Sequence, residues 1–184
     1  LFNVESPEVT QTQINQMRNQ YAQDWQEWPA DWGAPFHDDN GNGMYEPQLG
    51  ETPGLHGADQ VVWFVCNDLD TGAVLDLYGS FPLGFEIQLT FWGYNLQGVM
   101  GQTFYVRCLI INKSGLTIDS MYVGKWSDPD IGYAGDDYVG CDSIFCYAYC
   151  YNSSIMENKF SRYGLPPPAV GYVMLGSPSV PVVN

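Results

Sequence analysis

The sequence has few basic residues, and this shortage sets the sign of its charge. Only 6 Lys and Arg stand against 21 Asp and Glu, so the formal net charge is −15 at pH 7. A surface of this sign repels phosphate backbones and anionic lipid, while it attracts cations. We therefore expect neither nucleic acid nor a membrane surface as a partner.

Long apolar runs are absent as well. No stretch approaches the roughly 18 consecutive apolar residues that a membrane-spanning helix requires, which predicts a protein without membrane insertion. The chain starts at Leu1 and contains no succession of basic, apolar and small residues typical of a signal peptide. We expect a processed piece of a longer precursor, so the missing signal does not indicate the cytoplasm.

Residues that commonly carry catalysis are scarce. The histidines are His37 and His56, and neither lies in an HExxH or nucleophile-elbow pattern. A glycoside hydrolase would need a carboxylate pair roughly 5 to 9.5 Å apart, for which Glu86, Asp119 or the acids of residues 128–142 are the candidates. The sequence does not supply that separation. We expect a protein that is not an enzyme.

The five cysteines form no CxxC pair of the kind found in zinc or redox sites. In the apolar run 144–151, a period of two residues would place Cys146 and Cys150 on one strand face about 13 Å apart, too far for a mutual disulfide. Either the cysteines fill a core face as small buried side chains, or one of this pair is bridged to another. The remaining cysteines are Cys66, Cys108 and Cys141.

Short apolar or alternating segments, separated by Gly, Pro, Asn and Asp, are typical of β-strands. They predict strands at 60–66, 85–92, 103–112, 117–126, 144–151 and 169–175. In 85–92, apolar residues at the odd positions alternate with polar ones at the even positions, which predicts one buried and one solvated face. The pattern favours a mainly β fold, an antiparallel β-sandwich resembling a jelly roll.

Two further segments precede the strands. Ile14, Met17 and Tyr21 recur at helical spacing within residues 8–24, which predicts a short N-terminal helix packed on the edge of the domain. Residues 25–57 are rich in Trp, Pro and Gly without a regular period, so we expect a bound metal to order this long loop region. The predicted organisation is an arm at 1–24, a calcium-stabilised β-sandwich domain at 25–176 and an extension or linker at 177–184.

The sharpest local pattern lies in this loop region. Asp38-Asp-Asn-Gly-Asn-Gly has the D-x-N-x-N-G spacing of an EF-hand calcium loop. Oxygens of Asp38, Asn40 and Asn42 would fill the first ligand positions. Gly43 would permit the turn that directs the carbonyl of Met44 to the ion.

The terminal acid of this calcium pattern is displaced. Leu49 stands where the pattern has an acid, so Glu46 or Glu51 must take its place. We predict a calcium loop without flanking EF-hand helices. The alternative is a Gly/Asn/Asp turn that binds no metal.

A second acidic cluster lies nearer the C-terminus. Five carboxylates within fifteen residues repel one another unless they are solvated, protonated or neutralised by a cation. They predict a second calcium that uses some of them, against the alternative of a solvated acidic loop. The residues are Asp128, Asp130, Asp136, Asp137 and Asp142. The strand end 67–70 either lends a ligand to one of these sites or is simply polar.

Aromatic residues and sequons supply the remaining signals. Tyr147, Tyr149 and Tyr151 would share one side of their strand and could stack on sugar rings, although packing between sheets or beneath the Trp-rich segment is the favoured explanation. Asn112-Lys-Ser and Asn152-Ser-Ser are acceptor patterns for N-glycosylation, used where the source has the machinery.

Several segments keep a common order and spacing between about residues 25 and 176. They are WPADWGAP (28–35), DDNGNGMYEP (38–47), GADQ (57–60), INKSG (111–115), WSDPD (126–130), DDYVGCD (136–142) and PPAVGY (167–172). With these segments the sequence resembles a largely uncharacterised family of bacterial secreted or cell-surface proteins that commonly carry a C-terminal sorting domain for type IX secretion. The resemblance implies a secreted or outer-surface protein and assigns no catalytic residue. The cysteine-rich run 145–150 departs from it.

These expectations describe a non-catalytic structural or adhesive module of a secreted or outer cell-surface protein, stabilised by calcium. Unpaired strand edges, or the arm 1–24, would allow it to assemble into a homo-oligomer or a surface filament. The alternative is a carbohydrate-binding module that recognises surface glycans. A glycoside hydrolase is the third hypothesis.

Overall fold

The computed structural model describes residues 9–176 and residue 179. The first eight residues of the predicted arm, and all of the predicted extension except residue 179, lie outside this range. The chain divides into two compact units, the first ending at Thr117 and the second starting at Ile118. The predicted boundaries at residues 24 and 176 stay predictions.

The described chain is mainly β, as predicted, with two antiparallel sheets of three strands each. The strands are β1 (Gln60–Asn67), β2 (Phe85–Gly93), β3 (Phe104–Asn112), β4 (Asp137–Asp142), β5 (Tyr147–Asn152) and β6 (Ala169–Val173). The helices are α1 (Gln11–Gln26), α2 (Thr71–Tyr78) and α3 (Asn158–Ser161). Packing of the sheets as a β-sandwich stays a prediction.

Helix α1 confirms the predicted N-terminal helix. Thr10 and Gln13 form a reciprocal capping box that satisfies N–H groups at its first turn. No residue of α1 is buried, and Met17 and Tyr21 are exposed, so its packing on the edge of the domain stays a prediction. None of the helices within the described residues combines the length and apolar content needed to cross a membrane.

The first sheet has the order β1-β2-β3, and the buried face of β2 is the opposite of the predicted one. Register places Phe64 opposite Leu89 and Leu89 opposite Cys108, which gathers the apolar positions on one face. Phe64 is 43% exposed on that face. On the opposite, polar face, Gln88 and Thr90 are buried. The expectation that the polar face is the solvated one is therefore wrong.

The cause of this inversion is the Trp/Pro/Gly-rich segment, which covers the polar face. Gln88 Nε2 donates to the carbonyl of Trp32 at 3.0 Å, so its buried amide is partnered. Gly33 lies so close that a Cβ there would sit 2.4 Å from Gln88 Oε1. Gly54 packs similarly against Val61. The covering segment is thus held by polar contacts that the alternation of β2 does not reveal.

The strand end 67–70 has a structural role in the first unit. The Asp68 carboxylate accepts from the backbone N–H groups of Leu83, Gly84 and Phe85 at 2.5 to 3.2 Å, which fixes the start of β2. Asp70 accepts from Ala73 N and caps α2, a helix that the sequence pattern did not predict. These contacts favour the polar strand end over a metal ligand.

The second sheet has the order β4-β5-β6 and corrects two predicted strands. Residues 117–126 form no strand, and residues 144–146 belong to the turn between β4 and β5. Cys146 lies in that turn with φ +49°, so it does not share a strand face with Cys150. Strand β4 was not predicted, because it opens and closes with an acid and contains Gly140.

The cysteines do not fill a core face. All five are free thiols, and Cys150 is buried while the other four are exposed. Burial raises the pKa of the Cys150 thiol, and the nearby negative charge of Asp137 raises it further. Cys150 is therefore protonated at neutral pH and is a weak nucleophile.

Tyrosines cover glycines on one face of the second sheet. Tyr147 and Tyr149 stack with ring centroids 5.4 Å apart and an interplanar angle of 24°. A Cβ on Gly140 would sit 2.4 Å from the Tyr149 ring, and one on Gly171 would sit 2.4 Å from the Tyr147 hydroxyl. The rings therefore lie over the backbone of the neighbouring strands, and both are half-buried.

Candidate metal centre

The candidate metal loop, residues 38–51, is closed at its base by backbone pairing. His37 N donates to Thr52 O, and Gly54 N donates to Pro35 O, both at 2.8 Å. Phe36 and Pro53 form an antiparallel bridge between these two bonds. Hydrogen bonds thus hold the two ends of the loop together, and its interior is positioned by side chains.

Asp38 lies at the centre of the first half of the metal loop. Its Oδ1 accepts from Gly41 N at 2.7 Å and from Asn42 N at 3.1 Å, while Oδ2 accepts from Gly43 N at 2.8 Å. Gly41 and Gly43 both have φ +74°, which lets three successive N–H groups point at one carboxylate. The turn predicted at Gly43 is present.

The two asparagines share their polar atoms between the backbone and an acid. Asn40 Oδ1 accepts from Asn42 N, and Asn42 Oδ1 accepts from Met44 N. Their Nδ2 groups donate to Glu46 Oε2 at 3.0 and 2.6 Å. Three of the predicted ligand residues, Asn40, Asn42 and Glu46, therefore meet at one point of the loop, where a half-turn of each amide would present oxygen in place of nitrogen.

Glu46 and Glu51 are the two candidates for the displaced terminal acid, and which of them would bind an ion stays a prediction. Glu51 is 2% exposed, and its Oε2 accepts from Glu46 N at 2.8 Å. Its Oε1 is buried and has no hydrogen-bond partner. The pKa of the Tyr45 hydroxyl is raised by burial and, second, by the negative charge of Glu51.

The donor set of the metal loop is oxygen alone. Across residues 9–176 and 179, no three His, Cys, Asp or Glu side chains are grouped so that they could hold a metal ion. An ion in this loop would therefore need amide and backbone carbonyl oxygens besides its carboxylates, which is how calcium is commonly bound. The residues present fit a hard cation of that kind.

The predicted second cluster separates into three parts. Asp128 and Asp130 are exposed and make no described hydrogen bond. The carboxylate of Asp142 accepts from Ile144 N and Phe145 N and shapes the turn after β4. Asp136 and Asp137 differ, because each has a buried Oδ1 without a partner.

Two buried polar residues of the second unit were missed as parts of a polar site. Asn152, considered only as a sequon, pairs directly with Asp137 across β4 and β5 and is 8% exposed. Its Nδ2 donates to Ser154 O and Met156 O, so the folded chain does not offer this amide for glycosylation. Glu157 is 5% exposed and accepts from Tyr133 N and Lys159 N. For Asn152, the pairing of β4 with β5 was the missing signal.

The carboxylate pair of a glycoside hydrolase receives no support from Glu86. Its Oε2 forms a salt bridge with Lys113 at 3.4 Å, and its Oε1 accepts from Gln88 Nε2 at 3.1 Å. Asp119 belongs to the second unit. The rings of His37 and His56 are tilted by 58° to one another, with centroids 5.3 Å apart, beside the base of the metal loop.

No family model, no curated protein and no solved structure matches this chain. The resemblance drawn from the sequence segments therefore stays a prediction.

Proposed function

We propose that this chain is a non-catalytic, calcium-stabilised structural module of a secreted or outer cell-surface protein. The observation that carries the proposal is the Glu51 carboxylate, which is 2% exposed and has an unpartnered oxygen inside the metal loop. A buried charge is costly unless it is paired or bound to a metal. Calcium in the loop would remove that cost.

The charge around the metal loop supports a cation rather than a basic side chain. Within the described residues, the one salt bridge joins Lys113 and Glu86, so no Lys or Arg neutralises Asp38, Glu46 or Glu51. The whole chain carries a net charge of −15. A divalent cation is the simplest partner that would neutralise carboxylates that share a loop with amide oxygens.

An extracellular setting agrees with this kind of site. Extracellular calcium modules bind with dissociation constants of roughly 0.1 to 1 mM, so they are filled outside the cell and need no high affinity. Assembly into a filament, through strand edges or the N-terminal arm, is the extension of this proposal. Electron microscopy of the protein with calcium and with chelator tests it, since uniform monomers under both conditions would exclude assembly.

Calcium binding is tested by melting temperature with calcium and with EGTA. At a calcium concentration of about 100 times Kd, the wild type should gain about 2.7 kcal/mol. Asp38→Asn should lose most of this gain, because the central ligand charge is removed. Asp39→Asn is the matched control, since it removes the same charge from an adjacent exposed residue that is not a predicted ligand.

Two results would overturn the metal proposal. The first is a wild-type melting temperature that ignores both calcium and EGTA. The second is an equal loss of the calcium effect in Asp38→Asn and Asp39→Asn, since that would indicate screening of the overall charge and not a site.

A carbohydrate-binding module is the second candidate, favoured by the tyrosine face of β5. Tyr147 and Tyr149 lie nearly parallel, and Tyr149 and Tyr151 follow at 6.0 Å with a 34° angle. Such a row offers flat aromatic surface to sugar rings. Retention on insoluble polysaccharide should fall in Tyr151→Ala but not in Tyr122→Ala, whose ring is 96% exposed elsewhere. Equal retention of both variants would leave the rings with a packing role.

A further inference from the structure

The second unit contains its own group of buried oxygens without partners. Asp136 Oδ1, Asp137 Oδ1 and Asn152 Oδ1 each lack a hydrogen-bond donor. Buried polar atoms in folded proteins are nearly always hydrogen-bonded or bound to an ion. Three such atoms on neighbouring residues, two of them carboxylate oxygens, indicate an occupant that supplies positive charge.

Strand pairing brings these residues together. Asp137 and Asn152 are Cα partners in the β4–β5 ladder, so their side chains leave the same face of the sheet at adjacent positions. Asp136 directly precedes Asp137, and its carbonyl accepts from Ser153 N at 2.9 Å, which holds it beside the residue after Asn152. The group is therefore set by backbone pairing.

The partnered atoms of the group show which way the free oxygens point. Asn152 Nδ2 is held by the carbonyls of Ser154 and Met156, so Oδ1 points away from that turn. Asp137 Oδ2 accepts from Ile131 N at 3.2 Å and leaves Oδ1 as its free atom. Asn152 is 8% exposed, and this buried, unpartnered amide is the observation that separates the group from an ordinary acidic cluster.

Nearby charged groups do not neutralise the two aspartates. Lys159 Nζ donates to Gly132 O at 2.7 Å, and no Lys, Arg or His of the described residues forms a salt bridge with Asp136 or Asp137. Both carboxylate oxygens of Glu157 already have hydrogen-bond donors, because they accept from Lys159 N and Tyr133 N. Each carboxylate of the group therefore keeps an oxygen for a ligand from solution.

We propose that Asp136, Asp137 and Asn152 bind a second calcium ion, independent of the metal loop. Two carboxylate oxygens and one amide oxygen are hard donors, and neither a thiol nor an imidazole is among them, which favours calcium over zinc or copper. Backbone carbonyls or water would complete the coordination. Unlike the predicted cluster, this site excludes Asp128, Asp130 and Asp142 and takes in a residue from β5.

The test counts bound calcium on the full chain by equilibrium dialysis at about 10 mM free calcium, roughly tenfold above the weakest dissociation constants of extracellular modules. The wild type should bind two equivalents and Asp38→Asn one. Asp38→Asn combined with Asp137→Asn should bind none, while combination with Asp130→Asn should leave one. In Asp38→Asn, whose loop no longer binds, terbium luminescence excited through Tyr138 and Tyr151, the sequence neighbours of Asp137 and Asn152, should persist. It should vanish when Asp137→Asn is added to Asp38→Asn.

The outcomes separate this site from the metal loop. If Asp38→Asn binds no calcium and shows no tyrosine-excited terbium signal, the second site does not exist, whatever the loop does. If wild type binds one equivalent that only Asp137→Asn removes, the loop proposal fails and the second site stands. The melting temperature in EGTA controls for folding. Without calcium, Asp137→Asn removes a buried charge, so it should not lower the melting temperature. A large drop in EGTA would assign Asp137 a purely structural role.

Discussion

The two candidate sites of this protein are built in opposite ways. In the metal loop, every side chain comes from residues 38–51, and Asp38 organises the turn by accepting from three consecutive N–H groups. In the second unit, Asp137 and Asn152 are fifteen residues apart and meet only because β4 pairs with β5. One site depends on local sequence and the other on sheet register.

This difference predicts which structural changes should disrupt each site. A local loop closed at its base, as between His37 and Thr52, keeps its donors together while its own glycines and hydrogen bonds remain. A site built on strand partners is lost with any change of register, because a shift of one residue moves a side chain to the opposite face. Substitutions that act on one unit should therefore leave the cation site of the other intact.

The largest expected effect is Gly84→Ala in the first unit. Gly84 has φ +81°, and a Cβ there would sit 2.9 Å from the backbone Cα of Ser114. A left-handed non-glycine residue costs about 1–2 kcal/mol and overpacking about 1–3 kcal/mol, so we expect a loss of about 3 kcal/mol. Denaturation followed by tryptophan fluorescence measures it, because five of the six Trp residues lie in the first unit.

Gly98→Ala is the control for backbone strain alone. Gly98 has φ +73° with nothing near its missing Cβ, so its substitution should cost about 1 kcal/mol. Equal losses for Gly84→Ala and Gly98→Ala would contradict the close approach of Ser114. Terbium binding in the second unit should survive both.

The next largest effect is expected for Glu51→Gln, whose effect on stability should differ in sign between EGTA and calcium. In EGTA, Glu51→Gln removes a buried and unpaired charge while an amide oxygen can still accept from Glu46 N, so stability should stay equal or rise by up to about 1 kcal/mol. With saturating calcium the same variant should be less stable than wild type by about 2 kcal/mol. Melting under both conditions measures it, and a loss of the same size in each would mean that Glu51 only packs the loop.

A smaller effect is the acid sensitivity that Asp68 gives to the first unit. Burial would raise the pKa of Asp68, but N–H donors from Leu83, Phe85 and Gly84 outweigh it and hold this pKa below its ordinary value. A lowered folded-state pKa adds stability above the unfolded pKa of about 3.9, and that stability is lost as pH falls through the folded value.

Unfolding in EGTA at decreasing pH tests this contribution. Asp68→Asn should lower stability at pH 7 by about 1 kcal/mol and reduce the fall below about pH 4. Asp76→Asn is the control, since Asp76 is exposed on α2 and accepts no described hydrogen bond. Parallel acid curves for Asp68→Asn and the wild type would contradict the role of the three N–H donors.

Local patterns accounted for much of the fold. Alternating or β-branched runs predicted five of the six strands, and helical spacing predicted α1. Strand β4 escaped because its ends are acidic and its partner β5 supplies its order. The predicted strand 117–126 failed for the converse reason, since a strand-like sequence forms no strand without a partner to pair with.

The candidate sites differ in the same way, because one follows from local sequence spacing and the other from contacts between distant segments. The ligand spacing from Asp38 to Met44 is local, so sequence alone could name the loop and leave only the terminal acid open. Burial of Glu51, and of the polar face of β2 at Gln88 and Thr90, depends on chain segments folding over one another. The sequence identified Asn152 only as part of a sequon, because it lies beside Asp137 only through the register of β4 and β5.

The smallest effect is expected for Cys146→Gly in the turn between β4 and β5, and it tests the register of these two strands. Cys146 has φ +49°, which glycine adopts without strain, so Cys146→Gly should stabilise the second unit by about 0.5–1 kcal/mol. Ser143→Gly in the same turn is the control; Ser143 has no positive φ, and there glycine should cost about 0.5 kcal/mol. Hydrogen exchange of the β4 and β5 amides measures both changes. Because the turn fixes Asp137 opposite Asn152, Cys146→Gly should slow exchange there without altering the calcium affinity of the metal loop, whereas a change at the loop would mean that the two sites are coupled.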